Sequence, residues 1–358
     1  MSSTWGNNIR LSVFGGSHTG VIGVVLDNLP PNEKIDLDAV RVQMARRAPG
    51  RDKTATTRPE ADEPKLLSGY LDGVTTGAPL AAVIENTNTR SKDYSDLKVH
   101  PRPGHADYTA AVRYQGANDI RGGGHFSGRL TACLVFAGAV CRQILERRGI
   151  VIGAHACRIG GVSDAPFDPV AVSAAELNAL NTRFFAVRDA KAEEAMRAEI
   201  ERARLAADSV GGVIECAAVG VPAGVGSPMF GGIENVFASI LYGIPAVKGV
   251  EFGAGFGVAD MRGSENNDPF YYDETGAVRT RTNHAGGILG GITTGMPLLF
   301  RIAVKPTPSI GQAQQTVDLV EKKDAALTIR GRHDPCIVPR AIPVAEACAA
   351  IALLDLLR

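Results

Sequence analysis

Three consecutive glycines at positions 122–124 place the strongest constraint on how this chain can fold. Arg121 precedes them, and Ser127 and Arg129 follow closely. Because glycine has no Cβ, it lets the backbone approach a ligand where any other residue would clash. Arginine binds phosphate and carboxylate groups in a bidentate manner, and a hydroxyl adds a further hydrogen bond. The run therefore predicts a loop that faces an oxyanion at the start of a helix.

Three other loops combine glycine or proline with a hydroxyl, a cation or an imidazole in the same way. Their sequences are Gly15-Gly16-Ser17-His18-Thr19-Gly20, Arg102-Pro103-Gly104-His105-Ala106-Asp107-Tyr108 and Lys305-Pro306-Thr307-Pro308-Ser309. Four such loops, far apart in the sequence, indicate one large site for an anionic ligand.

The charge balance restricts the kind of ligand. The chain has 358 residues, of which 38 are basic and 38 acidic, and its formal net charge is zero. This balance argues against nucleic-acid binding, which uses a strongly basic surface. A cationic site for a small-molecule substrate must instead be built locally, from arginines gathered at one pocket.

The remaining bulk features predict one cytoplasmic domain without a metal site. Hydrophobic residues make up 45% of the chain and no linker-like segment divides it, so residues 1–358 are expected to form a single domain. The six cysteines form no CxxC pair, which favours reduced thiols over disulfides or zinc ligands. We find no signal peptide, no contact with a membrane is expected, and no apolar run approaches the roughly 20 residues of a membrane span.

Hydrophobic periodicity predicts both strands and helices. Strands are expected at 21–26, 150–152 and 213–221, and helices at 38–47, 131–148, 189–208 and 344–357. A long polar segment at 253–287 is rich in glycine, asparagine and aspartate. Such a segment is either a mobile flap over the site or a surface excursion.

Histidines are the first catalytic candidates. His18 and His105 each lie in a glycine loop, where an imidazole can exchange a proton with a leaving oxyanion near neutral pH. His125, beside the triple glycine, is a third candidate. Each histidine alone is compatible with a structural role, whereas two in similar loops favour catalysis.

Arginines supply the candidate clamp for the anion. Arg46 and Arg47 lie at the end of a predicted helix, where they either complement the helix dipole or bind phosphate and carboxylate groups. The other arginines that would complete the clamp are Arg102, Arg129 and Arg332.

Asp334 is the candidate acid–base group. It precedes a proline in Gly331-Arg332-His333-Asp334-Pro335-Cys336, and this favours an extended backbone. Asp334 either belongs to a turn with an ion pair or acts as an acid–base group near a cofactor ring. The sequence has no P-loop and no HExxH motif, and the glycines at 253–257 lack the spacing of a dinucleotide fingerprint.

The ordered set of loops resembles the chorismate synthase family. The motifs that carry the resemblance are Phe14-Gly15-Gly16-Ser17-His18, Arg102-Pro103-Gly104-His105-Ala106-Asp107, Arg121-Gly122-Gly123-Gly124 with Ser127-Gly128-Arg129, Thr282-Asn283-His284-Ala285-Gly286-Gly287, Lys305-Pro306-Thr307-Pro308-Ser309 and Gly331-Arg332-His333-Asp334-Pro335-Cys336. They occur in the family's order from residue 9 to the C-terminus. The resemblance implies an α+β fold, a β-α-β sandwich with sheets packed between helices, in a single domain that assembles as a homotetramer.

The resemblance also implies a lyase of the shikimate pathway to aromatic amino acids. Its reaction converts 5-enolpyruvylshikimate 3-phosphate to chorismate and phosphate by 1,4-trans elimination, with reduced FMN and no net redox change. In this comparison His18 assists the departing phosphate, His105 contacts the reduced flavin, and Asp334 helps to remove a proton near flavin N5. The substrate anions would bind Arg46, Arg47, Arg102, Arg129 and Arg332. FMN would lie along His125, Phe126, Ser127, Ala246, Gly290, Lys305, Pro306, Thr307, Pro308, Ser309 and Arg332. NADPH, for flavin reduction, would contact Arg47 and Lys53.

The sequence departs from the family's usual motifs at several positions. His125 and Phe126 stand where arginine and serine are usual, and Gly16 stands where an acid is usual. The other departures are Thr19, Ala48, Lys53 and Pro245. Two further functions therefore stay open: an NADPH-dependent flavin reductase that has lost the elimination, and a non-catalytic protein that binds phosphate or nucleotide.

Overall fold

Two antiparallel sheets form the outer layers of the structure, a computed structural model that describes residues 3–50, 62–87, 96–329 and 334–358. The first sheet has the order β1-β2-β3-β7-β4 and contains β1 (Thr4–Trp5), β2 (Arg10–Gly15), β3 (Val21–Asp27), β4 (Pro64–Ser68) and β7 (Leu80–Glu85). The second has the order β11-β16-β10-β8-β9 and contains β8 (Val151–Ile159), β9 (Val162–Ser163), β10 (Gly212–Val219), β11 (Val247–Phe252) and β16 (Leu298–Val304).

Helices form the layer between the two sheets. They are α1 (Leu37–Arg47), α3 (Thr131–Arg147) and α8 (Val338–Leu356). α3 packs against β2 and β3 of the first sheet, α8 packs against β8 and β10 of the second, and the two helices pack along each other. The β-α-β sandwich is thereby confirmed. The expectation also placed the sheets between helices, whereas in the structure the helices lie between the two sheets.

Shorter elements surround this sandwich. The further helices are α2 (Asp107–Arg113), α4 (Ala174–Leu180), α5 (Ala190–Leu205), α6 (Ile233–Leu241) and α7 (Gly263–Asn266). Four two-stranded hairpins consist of β5 (Tyr70–Leu71) with β6 (Val74–Thr75), β12 (Phe270–Tyr272) with β13 (Val278–Thr280), β14 (Ile288–Leu289) with β15 (Ile292–Thr293), and β17 (Ala313–Asp318) with β18 (Lys323–Thr328). α4 and α5 contact the second sheet, and α6 contacts α8.

Among the described residues, one large hydrophobic core extends through all three layers, from Ile9 to Leu354. Its largest fully buried side chains include Phe136 of α3 and Phe300 of β16. All six cysteines have free thiols, as predicted. Burial raises the pKa of the Cys133 thiol to about 12, so that thiol stays protonated and acts as a small apolar group.

One helix in the described part of the chain, Gly128–Arg147, is long and apolar enough to cross a membrane. Most of it is buried inside the sandwich, as expected for the central helix of a core. Length and composition alone are therefore weak support for a membrane span here.

The predicted strands and helices are present, and they differ from the predictions mainly at their ends. Asp36 caps α1 and Asp189 caps α5, each accepting backbone N–H groups of the first turn. The strand expected at 150–152 is longer and extends over Val151–Ile159. α8 begins before the predicted residue 344 and continues through Pro343, because nearly its whole surface is buried and packing outweighs the lost hydrogen bond.

Candidate active site

The loop that joins β2 to β3 brings His18 against the triple glycine. A Cβ added at Gly122 would lie 2.2 Å from His18 Nδ1 and 2.4 Å from Ser17 Oγ, and Gly122 has a φ of +60°. The backbone N–H of Ser17 donates to the Gly124 carbonyl over 3.1 Å. Only glycine permits both this conformation and this approach, so Gly122 fixes the position of the His18 ring.

Ser17 also orients the imidazole of His18. Its hydroxyl donates its single proton to the Arg121 carbonyl over 3.1 Å, and the same oxygen lies 3.1 Å from His18 Nδ1. The hydroxyl oxygen therefore accepts from Nδ1–H, which is the protonated nitrogen of the neutral ring in this arrangement.

His105 lies against the next glycine of the same loop. A Cβ at Gly123 would lie 3.1 Å from His105 Nε2, and Gly123 has a φ of +88°. His105 ends the turn before α2, where its N–H donates to the Arg102 carbonyl over 3.2 Å. His18 and His105 are thus brought together by two consecutive glycines, although 87 positions separate them in the sequence.

A buried carboxylate holds the ring of His105. Asp107 Oδ1 lies 2.6 Å from His105 Nδ1, and Arg102 Nε donates to Asp107 Oδ2 over 2.7 Å. Burial alone would raise the pKa of Asp107, but the hydrogen bonds and charges of Arg102 and His105 hold it far below its usual range. Arg102 also donates through Nη1 to Ser309 Oγ over 3.2 Å. The guanidinium of Arg102 therefore supports Asp107 and contacts the 305–309 loop beside His105.

The 305–309 loop follows β16 and connects the His105 turn to Asp334. The Lys305 ammonium donates to the Gly104 carbonyl, and the Lys305 N–H donates to the Ala246 carbonyl over 3.0 Å. Thr307 Oγ1 donates to the Asp334 carbonyl over 2.7 Å. Burial, together with the charge of a nearby lysine, lowers the pKa of Lys305. The loop therefore unites most of the predicted cofactor residues, Pro306 and Pro308 included.

An arginine on α8 binds the side chain of Asp334. Arg340 donates through Nη1 to Asp334 Oδ2 over 2.6 Å and through Nε to the Arg47 carbonyl over 3.1 Å. Both charged side chains are largely buried. Arg340 thus joins the candidate acid–base residue to the end of α1.

Two predicted anion-binding arginines share one buried carboxylate. Arg47 Nη1 donates to Asp62 Oδ2 over 2.8 Å, and Arg129 Nη1 donates to Asp62 Oδ1. Arg47 Nε donates to Thr131 Oγ1 over 3.1 Å, and Arg129 Nε donates to Asn86 Oδ1 over 3.0 Å. Burial alone would raise the pKa of Asp62, but the two guanidinium groups hold it below its usual range. The cluster is therefore a buried site with one net positive charge.

Arg46 points into the helical layer, away from this cluster. Its Nη1 and Nη2 lie 2.5 and 3.1 Å from the Glu346 carboxylate, and its Nε donates to the Arg183 carbonyl over 3.2 Å. The residue is buried. These contacts hold the guanidinium inside the helical layer.

The residues that depart from the family's motif have distinct surroundings. His125 Nδ1 lies 2.8 Å from the Gly15 carbonyl and its Nε2 lies 2.7 Å from Ser3 Oγ, so this ring ties the β2–β3 loop to the N-terminal segment. Phe126 is partly exposed, with its ring centroid 6.2 Å from that of Tyr114. The Phe126 ring is the more exposed of the two.

The remaining predicted residues are less central. Ser127 Oγ accepts the Arg129 N–H over 3.2 Å and so caps the turn that leads into α3. Gly290 lies in the turn between β14 and β15, and no described contact joins it to His18 or His105. Lys53 and Arg332 lie outside the described residues.

Sequence analysis did not select three charged residues of the site, namely Asp62, Asp107 and Arg340. Asp107 had a usable signal, because it follows His105 by two positions and begins a helix. Asp62 and Arg340 had none, because their partners lie in other elements of the fold.

The segment 253–287 is folded and lies elsewhere. It contains a 3₁₀ turn, α7 and the hairpin β12–β13, and its backbone joins β16 through the hydrogen bond from Gly253 N–H to the Leu299 carbonyl. His284 lies over Asp268, with its N–H donating to Asp268 Oδ1 over 2.8 Å. The described contacts favour a surface excursion over a flap that reaches the two histidines.

Comparisons with known proteins agree with this geometry. The model of the family described as chorismate synthase matches residues 9–357. Chorismate synthases from Thermococcus kodakarensis and Pyrococcus abyssi are 48% and 49% identical over 350 residues, which cover 98% of this chain and 96% of each relative. The enzyme of the same name from Lancefieldella parvula is 44% identical and covers all of this chain and 96% of the relative. A crystal structure of a chorismate synthase superposes with a TM-score of 0.75 at 27% identity, covering 99% of this chain and 92% of the other. The chain therefore belongs to the chorismate synthase family, the chorismate-forming lyases of the shikimate pathway.

Proposed function

We propose that this chain forms chorismate and phosphate from 5-enolpyruvylshikimate 3-phosphate by 1,4-trans elimination with reduced FMN. The observation that carries the proposal is the pair of imidazoles, His18 and His105, held against consecutive glycines of one loop. Two proton-exchanging groups at one site suit a reaction that expels a phosphate and removes a ring proton.

In this proposal His18 acts on the leaving group. Negative charge moves onto the phosphate as its bond to the ring breaks, and a hydrogen bond from His18 stabilises that charge. Ser17 accepts Nδ1–H, so Nε2 is the nitrogen left to exchange a proton with phosphate, and it donates to the leaving group when the ring is an imidazolium. His105 hydrogen-bonds or protonates the reduced flavin, and Asp334 helps to take the proton from the substrate ring.

The residues present fit FMN as a cofactor. Lys305, Thr307 and Ser309 place an ammonium and two hydroxyls in one loop beside His105, which suits a phosphate ester or the oxygens of a flavin ring. The half-exposed ring of Phe126 offers an apolar face. Reduced FMN, when bound, supplies the electron-rich ring that the elimination requires without net redox change.

The substrate carries one phosphate and two carboxylates, and the proposed clamp consists of Arg46, Arg47, Arg102, Arg129 and Arg332. The net positive charge of the Arg47 and Arg129 cluster with Asp62 supports anion binding there, since a buried cation binds an anion in a medium of low polarity. NADPH is proposed to contact Arg47 and Lys53 when it reduces the flavin.

We further propose that the chain is a single domain, works in the cytoplasm and assembles as a homotetramer. Self-association is supported by large apolar side chains that the single chain leaves in solvent. Phe230 is 88% exposed, Phe256 86% and Tyr272 78%. Aromatic side chains are enriched at subunit interfaces relative to the rest of a protein surface. Light scattering after gel filtration tests this, with an expected mass of about four chains of 37.6 kDa.

An anaerobic assay with chemically reduced FMN and 5-enolpyruvylshikimate 3-phosphate tests the activity. Chorismate absorbance and released phosphate should rise together, and turnover should disappear with oxidised FMN. His105→Ala should lower kcat about 10²-fold or more. His100→Ala, in an exposed pair outside the site, is the matched control and should leave kcat unchanged.

Repeating the assay with NADPH and oxidised FMN tests flavin reduction separately. Turnover there would support NADPH binding by this chain. NADPH oxidation without chorismate formation would instead support the flavin-reductase function, and folded, flavin-bound protein without any turnover would contradict the elimination.

A further inference from the structure

The carboxylate of Asp107 makes four hydrogen bonds, and three of them come from a single arginine. Arg102 donates to Oδ2 through Nε over 2.7 Å and through its backbone N–H over 3.0 Å, and to Oδ1 through Nη2 over 2.8 Å. The fourth partner is His105 Nδ1, 2.6 Å from Oδ1. The Asp107 side chain is 4% exposed, so solvent does not compete for these bonds.

Four hydrogen-bond donors surround the carboxylate of Asp107, so this carboxylate is ionised. An ionised carboxylate can only accept hydrogen bonds, so His105 Nδ1 must be the donor in this contact. The Arg102 guanidinium also lies 3.1 Å from Nδ1 and 3.3 Å from Nε2. Because it is close to both ring nitrogens, it lies over the face of the ring and does not take the place of Asp107 in the ring plane.

With Nδ1–H bound to Asp107, the other nitrogen of His105 faces the triple-glycine loop. Nε2 is the ring atom nearest to Gly123, where an added Cβ would lie 3.1 Å away. The neutral ring then presents a lone pair at Nε2 toward the triple-glycine loop. The opposite tautomer would present an N–H there and would leave the buried carboxylate without one of its donors.

We propose that Asp107 is a positioning residue that fixes the tautomer of His105, with Arg102 holding Asp107 ionised. This inference rests on the proposed function for its catalytic consequence, whereas the tautomer itself is a property of the protein alone. Asp107 touches neither substrate nor cofactor in this scheme and acts only through His105.

The first test is a measurement on the unmodified protein without substrate or flavin. Selective ¹⁵N labelling of histidine, with His105 identified by its loss in His105→Gln, distinguishes Nδ1–H from Nε2–H by the shifts of the two ring nitrogens. We expect Nδ1–H for His105 in neutral solution. An Nε2–H ring would overturn the inference whether or not any variant folds.

The second test is Asp107→Asn, which keeps the shape of the side chain. The amide oxygen would accept from Arg102 and its NH₂ would donate to His105 Nδ1, so the ring should switch to Nε2–H. We expect kcat to fall by about 10²-fold or more, with KM within about threefold of the original value, since the binding groups stay in place. Asp107→Glu retains an ionised acceptor and should recover part of kcat.

Asp96→Asn is the matched control, because Asp96 forms the same kind of pair with His100 Nδ1 over 2.8 Å at an exposed position. It should change neither kcat nor the His105 spectrum. Unchanged kcat in folded Asp107→Asn would refute the catalytic consequence. If the elimination assay fails for the unmodified protein while His105 remains Nδ1–H, the proposed function is lost and the tautomer assignment stands.

Discussion

Gly122 and His18 are in a contact that no other residue at position 122 would allow. A Cβ at Gly122 would lie 2.2 Å from the imidazole, and its φ of +60° is one that side-chain-bearing residues rarely adopt. The glycines at 122 and 123 therefore admit the side chains of His18 and His105, besides the ligand that the sequence predicts there.

This contact predicts the effect of Gly122→Ala. The methyl group must displace His18, and a misplacement of about 1 Å in a catalytic group costs on the order of 10²-fold in rate. We expect kcat to fall by about that factor while the protein stays folded. The measurement is steady-state kinetics with reduced FMN, alongside thermal unfolding.

Gly20→Ala is the control for this prediction. Gly20 lies in the same loop as His18, its φ is outside the left-handed region, and an added Cβ would have no neighbour within 4 Å. It should retain normal kcat. If Gly122→Ala were as active as Gly20→Ala, the position of the His18 ring would not matter for turnover.

Arg46→Met tests whether Arg46 has a structural role in addition to its proposed place in the clamp. Among the described residues, removing the guanidinium leaves the buried Glu346 with the more distant Arg142, 3.6 Å away, as its cationic partner. Breaking a buried ion pair from one side costs about 3–5 kcal/mol, and urea unfolding should show a loss of this size. The KM for the substrate should also rise in the folded variant, because one cation of the proposed clamp is lost. An unchanged KM with this loss of stability would leave Arg46 a structural role only.

The sequence predicted the loops of the site better than the pairings within it. His18, His105 and the 305–309 loop were selected because each has local chemistry that can be read along the chain. The partner of Arg46 is Glu346, which lies 300 positions away in the sequence on α8. The start of α8 was itself predicted too late, because Pro339 and Pro343 lie near its beginning. This ion pair depends on how α1 and α8 pack, and no local sequence pattern predicts it.

The same limit explains the layer order and the role of Arg102. Hydrophobic periodicity identifies the apolar face of a helix that is buried on one side. A helix that is buried on nearly all sides, as α8 is, has no such periodicity, so its position in the layers cannot be predicted in this way. Arg102 was assigned to the substrate because it lies in an anion-binding type of loop. Its ion pair with Asp107, five positions away, was not predicted, because Asp107 could not be distinguished from a solvent-facing acid.

Asp62→Asn tests the shared carboxylate between Arg47 and Arg129. At neutral pH the variant leaves two guanidinium groups close together without a counter-charge, and we expect a loss of about 3–5 kcal/mol in the free energy of unfolding. The folded-state pKa of Asp62 is lowered, so its contribution is present above the unfolded value of about 4 and is lost as pH falls through the folded value. The difference between variant and original should therefore shrink below about pH 4.

The neighbouring Glu63 provides the control for Asp62. Glu63 pairs with Arg41 over 2.9 Å at a half-exposed position, and Glu63→Gln should cost no more than about 1 kcal/mol. Urea titrations at neutral and acidic pH compare the two variants. A similar small loss for both would show that the buried cluster does not depend on Asp62.

His155 makes the free energy of unfolding decrease as the solution becomes alkaline. Its ring is fully buried, with Nδ1 2.8 Å from Asp164 and Nε2 2.9 Å from Glu215. Burial alone would lower the pKa of His155, but hydrogen bonds and charges from the two carboxylates raise it above its usual value. A raised folded-state pKa means that the charged ring contributes its full stabilisation below the unfolded value of about 6.5 and loses it as pH rises through the folded value.

We therefore expect the free energy of unfolding to fall as pH rises above about 6.5, and His155→Gln to be less stable and to lack this slope. Phe167→Leu separates charge from packing, because the Phe167 ring packs edge-on against His155 with centroids 4.6 Å apart but carries no charge. That variant should lower stability at every pH and keep the slope, because both carboxylate contacts of His155 remain. Urea unfolding between pH 5 and about 9 measures both quantities. A slope that survives in His155→Gln would mean that another group titrates there and that the carboxylates do not hold a charged imidazole.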